Sequence, residues 1–92
     1  MMEPQKVIVK STGMPEDMQD YAIQTCLKAM KILRHDKDVA STLKRQFNDK
    51  YGRTWHCVVG SNFGSNVSHI DEGFIYFFVD RKSVLLFKTE CA

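Results

Sequence analysis

The chain has no apolar run near the roughly 20 residues that a membrane-spanning helix needs, so no such helix is expected. It has two prolines, five glycines and no low-complexity tract, which excludes collagen-like, linker-like and disordered classes. Neither sign of charge dominates. Thirteen Lys and Arg stand against eleven Asp and Glu, a net charge of +2, too even to imply a nucleic-acid or membrane-surface footprint by charge alone. The three cysteines, Cys26, Cys57 and Cys91, are odd in number and widely spaced. They fit neither a disulfide framework nor a zinc-ligand pattern, so a reducing compartment, hence the cytosol, is expected. The opening MMEPQKVIVK mixes charges around a tiny apolar piece, and no secretory leader is expected.

What is present is 92 residues with 43% apolar content, one globular domain over residues 1–92. A domain of this size buries only roughly 60–65% of the surface its unfolded chain exposes. KVIVK at 6–10 is a β-branched run and predicts a strand; STGMP then breaks it. Pro15 fits a helix start, and Glu16 and Asp17 suit the positive end of the helix dipole. Met18, Ala22, Cys26, Ala29 and Leu33 recur every three or four residues, which predicts a helix over about 16–33. Asp36 fits as N-cap of a second helix, with Val39, Ala40, Leu43, Phe47 and Tyr51 on its apolar face and Gly52 as its stop. The period then changes to two. TWHCVVG at 54–60 sets Trp55, Cys57 and Val59 opposite His56 and Val58. GFIYFFV at 73–79 is apolar on both faces, DRK at 80–82 reads as a turn, and SVLLFKT at 83–89 as the last strand. Strands that are apolar on both faces imply a sheet covered on both faces. The expected architecture is α+β, in the order β-α-α-β-β-β-β, with an antiparallel sheet, two helices packed on one face, and a second copy covering the other.

Chemistry-bearing patterns are weak. GSNFGS at 60–65 lacks the lysine and the glycine spacing of a phosphate-binding loop. His56 and Cys57 are neighbours on a strand, so their side chains point to opposite faces and do not form a nucleophile–base pair. His35, His56 and His69 have no carboxylate at a ligand interval. The aromatic run GFIYFF lacks the flanking bases of an RNA-stacking strand. No catalysis, cofactor or metal is expected, and a thiol enzyme or RNA-binding domain is the least favoured alternative.

Residues 60–70, GSNFGSNVSHI, sit between two runs that want burial, yet neither parity makes a core face. Taken with YGRTWHCVVGSNFGSNVSH, FIYFF and LLFK, this stretch resembles the small dynein light chain of the LL type, the motif-binding hub family. The resemblance runs from KVIVK through LLFKT and includes DKDVASTLKRQFNDKYGRTWHC without a gap.

The resemblance implies a strand-exchanged homodimer, in which the strand at 62–69 pairs with the 54–60 region of the partner. It implies two grooves, each accepting a disordered peptide with a Thr-Gln-Thr-like motif as an added antiparallel strand. Carried over position by position, the peptide site is Lys10, Asp36, Lys37, Asn62, Phe63, Gly64, Ser65, Asn66, Val67, Ser68, His69, Phe74, Tyr76, Phe78 and Phe87. The motif's glutamine caps the second helix at Asp36 and Lys37. The dimer interface is Lys44, His56, Val59, Ser61 and Ser65. Protonation of the two His56 side chains would set like charges together, so acidification would favour monomers. The implied partners are a dynein intermediate chain and other disordered segments, in the cytoplasm and cytoskeleton or in an axoneme. A dimerisation hub independent of dynein is the alternative. Asn66 and Phe78 stand where the family has tyrosines, Ser68 where it has threonine, and Ser61 where arginine is common. These changes leave backbone strand addition intact and point to a restricted set of clients.

Overall fold

A computed structural model describes residues 6–52, 54–61 and 73–89. The elements are β1 (Val7–Thr12), α1 (Glu16–Ile32), α2 (Asp36–Tyr51), β2 (Trp55–Ser61), β3 (Phe74–Val79) and β4 (Lys82–Lys88). The four strands form one antiparallel sheet in the order β1-β3-β4-β2. This is the expected α+β class and element order; the further strand expected at 62–69 lies outside the described residues.

The α1 helix begins after Pro15, which sits extended at the N-cap (φ −60°, ψ 159°), with Glu16 and Asp17 in the first turn. It ends where Leu33 turns extended. The α2 helix corrects one expectation. Its N-cap is His35, and Asp36 is its first residue; among the described residues no side chain caps it. Asp36 has another engagement, with Lys82, described below. At the other end Gly52 adopts φ 85°, a conformation costly for any residue with a Cβ.

Small residues on α1 (Ala22, Cys26, Ala29) and larger ones on α2 (Val39, Leu43, Phe47) close over one face of the sheet. From the sheet come Trp55, Ile75, Phe77, Val79, Val84 and Leu86, with Cys57 and Val59 packed against them. Phe47 meets Trp55 edge-on with ring centroids 4.9 Å apart, and Tyr51 and Tyr21 extend this aromatic cluster along the helices. The Trp55 backbone N–H donates to Asn48 Oδ1 at 2.9 Å, which fixes the entry of β2 beneath α2.

The β3–β4 hairpin turns over Asp80 and Arg81, with Val79 opposite Lys82. Lys82 is thus the first residue of β4, not the last of a three-residue turn. Asp80 carries φ 54°, an asparagine- and aspartate-tolerant conformation suited to a two-residue turn. It also ties down the start of β1: its N–H donates to Lys6 O at 2.8 Å and its Oδ1 accepts the Lys6 N–H at 3.0 Å. The first strand runs two residues beyond KVIVK, through Thr12, and its pairing with β3 slips between Val9 and Ser11, where Lys10 bulges out.

Candidate functional site

The strand period that sends Phe77 into the helices sends its neighbours to the other face. Register sorts that face into three rows. Phe74, Phe87 and His56 form the first; Tyr76, Leu85 and Val58 the second; Ile8, Phe78, Ser83 and Gly60 the third. Phe74, Tyr76 and Leu85 are buried within the single chain, so the centre of this face is less open than the sequence pattern implies. The border is open: Ile8 and Val58 are exposed, and His56, Phe78 and Phe87 are half-buried.

Aromatic contacts hold the rows. Phe78 stands edge-on to Tyr76 at 5.4 Å, with Lys10 Nζ 5.7 Å from the Phe78 ring centre. His56 lies 5.5 Å from Phe87, and its Nε2 is 3.1 Å from Thr89 Oγ1. At the border formed by the end of β2, Lys82 Nζ donates to Asp36 Oδ2 at 3.0 Å and to Ser61 Oγ at 3.3 Å. That one ammonium gathers the start of α2, the end of β2 and the start of β4. Lys37 is exposed beside it.

Of the residues expected from sequence, Phe74, Tyr76, Phe78, Phe87 and His56 thus share one face, with Lys10 over its margin; Ser61, paired with Lys82 opposite Val79, lies on the helix side of the sheet, at the end of β2 beside Asp36 and Lys37 of α2. Lys44 points outward from α2, and Val59 packs on the opposite, helix-covered face. Asn62, Phe63, Gly64, Ser65, Asn66, Val67, Ser68 and His69 lie outside the described residues. Sequence reasoning missed Lys82 and Thr89. Reading DRK as a turn hid the lysine, and nothing local announces that Thr89 reaches His56.

The thiols carry no chemistry of their own here. Burial pushes Cys26 up to about 12. Burial, and then the neighbouring Cys26, push Cys57 up as well. Both are held as neutral thiols rather than nucleophilic thiolates.

Residues 6–89 match the family described as Dynein light chain type 1. The chain belongs to that family. A cytoplasmic dynein light chain of Emericella nidulans is 47% identical over 89 residues, covering 97% of this chain and 92% of that one. The dynein light chain-like domain of a calcium-binding protein from Fasciola hepatica superposes with a TM-score of 0.77 at 26% identity, covering 92% of this chain and 93% of that one. The DLC-like domain of CsTAL3 has the same TM-score at 15% identity, covering 90% of this chain and 92% of the other, and shows the shared fold. As a dynein light chain the protein is non-catalytic and is assigned to the cytoplasm and cytoskeleton.

Proposed function

We propose that the chain is the light chain of a dynein motor, acting as a two-fold homodimer. In this reading it binds short Thr-Gln-Thr-like segments of the intermediate chain and of other disordered partners by strand addition. The observation that carries it is the sheet face opposite the helices, lined by Phe74, Tyr76, Phe78 and Phe87 and bordered by β2, the outermost strand among the described residues, whose far end is joined to α2 through Lys82 and Asp36. The second copy meets that border through His56, Ser61 and Ser65, with Lys44 and Val59 assigned to the interface by family likeness. The peptide runs along Asn62, Phe63, Gly64, Ser65, Asn66, Val67, Ser68 and His69. Phe74, Tyr76, Phe78 and Phe87 supply its apolar lining, and Lys10, Asp36 and Lys37 its polar ends. Main-chain hydrogen bonds supply affinity and alternate pockets select side chains. Two grooves on one dimer align two partner chains, and a bivalent partner gains through effective concentration.

Calorimetric titration with a Thr-Gln-Thr peptide tests the reading. Saturable binding of one peptide per chain, lost in Gly64→Val, is expected; a flat titration with a folded, dimeric protein refutes strand addition. Capture of dynein heavy and intermediate chains from the native cell supports the motor assignment. Capture of other clients without any dynein chain supports the dynein-independent hub.

A further inference from the structure

The helix layer carries a second surface that the sheet face does not use. A groove of about 380 Å³ runs between α1 and α2, lined by Tyr21, Thr25, Ala29, Ile32, Thr42 and Gln46 among others. Tyr21 Oη donates to Gln46 Oε1 at 3.1 Å across its floor, and Lys50 Nζ lies 4.3 Å from the Tyr21 ring centre. At its end stands Ile32, 79% exposed, the most exposed large apolar side chain among the described residues.

Charge along the exposed side of α1 is segregated. Asp17 and Asp20 lie in its first turns, Lys28 and Lys31 in its last, and Arg34 follows; all five are exposed, and none is ion-paired among the described residues. We infer that this α1 face docks against α1 of a second copy, in an antiparallel two-fold contact separate from the sheet face. The spacing carries the argument. Asp20 and Lys31 are as far apart along the helix as Tyr21 and Ile32. An antiparallel crossing near residues 25–27 therefore sets Lys31 of each copy over Asp20 of the other, Ile32 against Tyr21, and Arg34 near Asp17. The two pairings differ in register by about two residues, roughly 3 Å along the helix, so a crossing centred between them leaves each about 1.5 Å out of line, within reach of these side chains. On the helical wheel Tyr21, Thr25 and Ile32 lie on the side toward α2, and Asp20 and Lys31 on the other. A dyad perpendicular to the two helix axes keeps the sides matched, so the apolar row meets the apolar row and the charged row meets the charged row.

The helix is short, about 25 Å, and the contact falls below the roughly 1,200 Å² of standard stable complexes. It acts when copies are concentrated, for instance when several are held along one long partner.

The full-length protein tests this by sedimentation velocity and a heteronuclear NMR dilution series from about 10 μM to 1 mM, the range in which contacts of this size act. Concentration-dependent shifts centred on Tyr21, Thr25, Lys28, Ile32 and Gln46 are expected, with a rising sedimentation coefficient. Ile32→Glu abolishes both, with unchanged thermal unfolding. Asp20→Lys or Lys31→Asp alone weakens association about fivefold. Both reversals in one chain restore it, which a merely structural effect does not do. Shifts absent from α1 at every concentration overturn the proposal, as does a double variant no better than the singles. Shifts at α1 that arise only on adding another protein place that protein in the groove and overturn it equally.

Discussion

Replacing Phe77 by alanine, alongside the same change at Phe87, separates the two faces of the sheet. Phe77 is fully buried against the helices, opposite Val84 on β4 and Val9 on β1. Truncating such a ring costs about 3–5 kcal/mol, from lost transfer energy and from the cavity left behind. At roughly 0.05–0.15 kcal/mol per residue, a domain of this length holds about 5–14 kcal/mol in all. Phe77→Ala therefore removes about a fifth or more of the stability, and the unfolding midpoint falls by about 12 °C or more at ~4–8 °C per kcal/mol. That loss is the same at every protein concentration, because the ring touches only its own chain. Phe87 is half-buried on the other face, beside His56. Its truncation costs one chain less, about 1–2 kcal/mol. If that face borders a second copy, however, Phe87→Ala also weakens association, and linkage makes the difference visible. Urea unfolding followed by Trp55 fluorescence, at two protein concentrations far apart, measures both. The wild-type midpoint rises with concentration, Phe77→Ala shifts it down in parallel, and Phe87→Ala flattens its rise. A wild-type midpoint indifferent to concentration, or equal losses for the two variants at high dilution, refutes the assignment of faces.

The cysteines give a chemical check. Native protein at pH 8 resists alkylation at Cys26 and Cys57, and both react once it is unfolded, because each thiol is held neutral in the fold. Their titration also sets an alkaline limit. A thiol with an ordinary value of 9.0 and a folded value raised to about 12 at Cys26 contributes fully below pH 9. That stability is lost as pH rises toward 12, since the unfolded chain then releases a proton that the folded chain keeps. A urea midpoint unchanged between pH 9 and 11 would contradict this. Asn48→Ala leaves the Trp55 backbone N–H without its acceptor and costs about 1–3 kcal/mol by chemical denaturation, while Asn48→Asp, which keeps an oxygen there, loses less.

Much of this architecture was legible because its periods are clean. Ala22, Cys26 and Ala29 fall on one stripe, as do Val39, Leu43 and Phe47, and both stripes are the ones the helices bury. The alternation at Trp55, Cys57 and Val59 likewise names the covered side of β2. Boundaries were less legible where two residues qualify for one role. Asp36 has the side chain of a helix cap, but His35 holds the position, and the Asp36 carboxylate faces Lys82. That pairing joins residues 46 apart in sequence, which no local pattern reveals. The extent of cover on the second sheet face was illegible for the same reason. Phe74 and Tyr76 differ little in pattern from Phe78, yet the first two are buried and the third is half-open. The candidate site followed from family likeness more than from physics, since the polar groups that the proposed strand addition would use are backbone atoms, which every residue carries.

The slip at Lys10 has a bearing on how far such a molecule can polymerise. Among the described residues β1 is the outermost strand on its side, and an unguarded outer strand invites foreign chains to zip onto it. A misaligned rung and a protruding ammonium spoil that flank as a template. That flank is thereby a poor seed for edge-to-edge aggregation of copies of the chain.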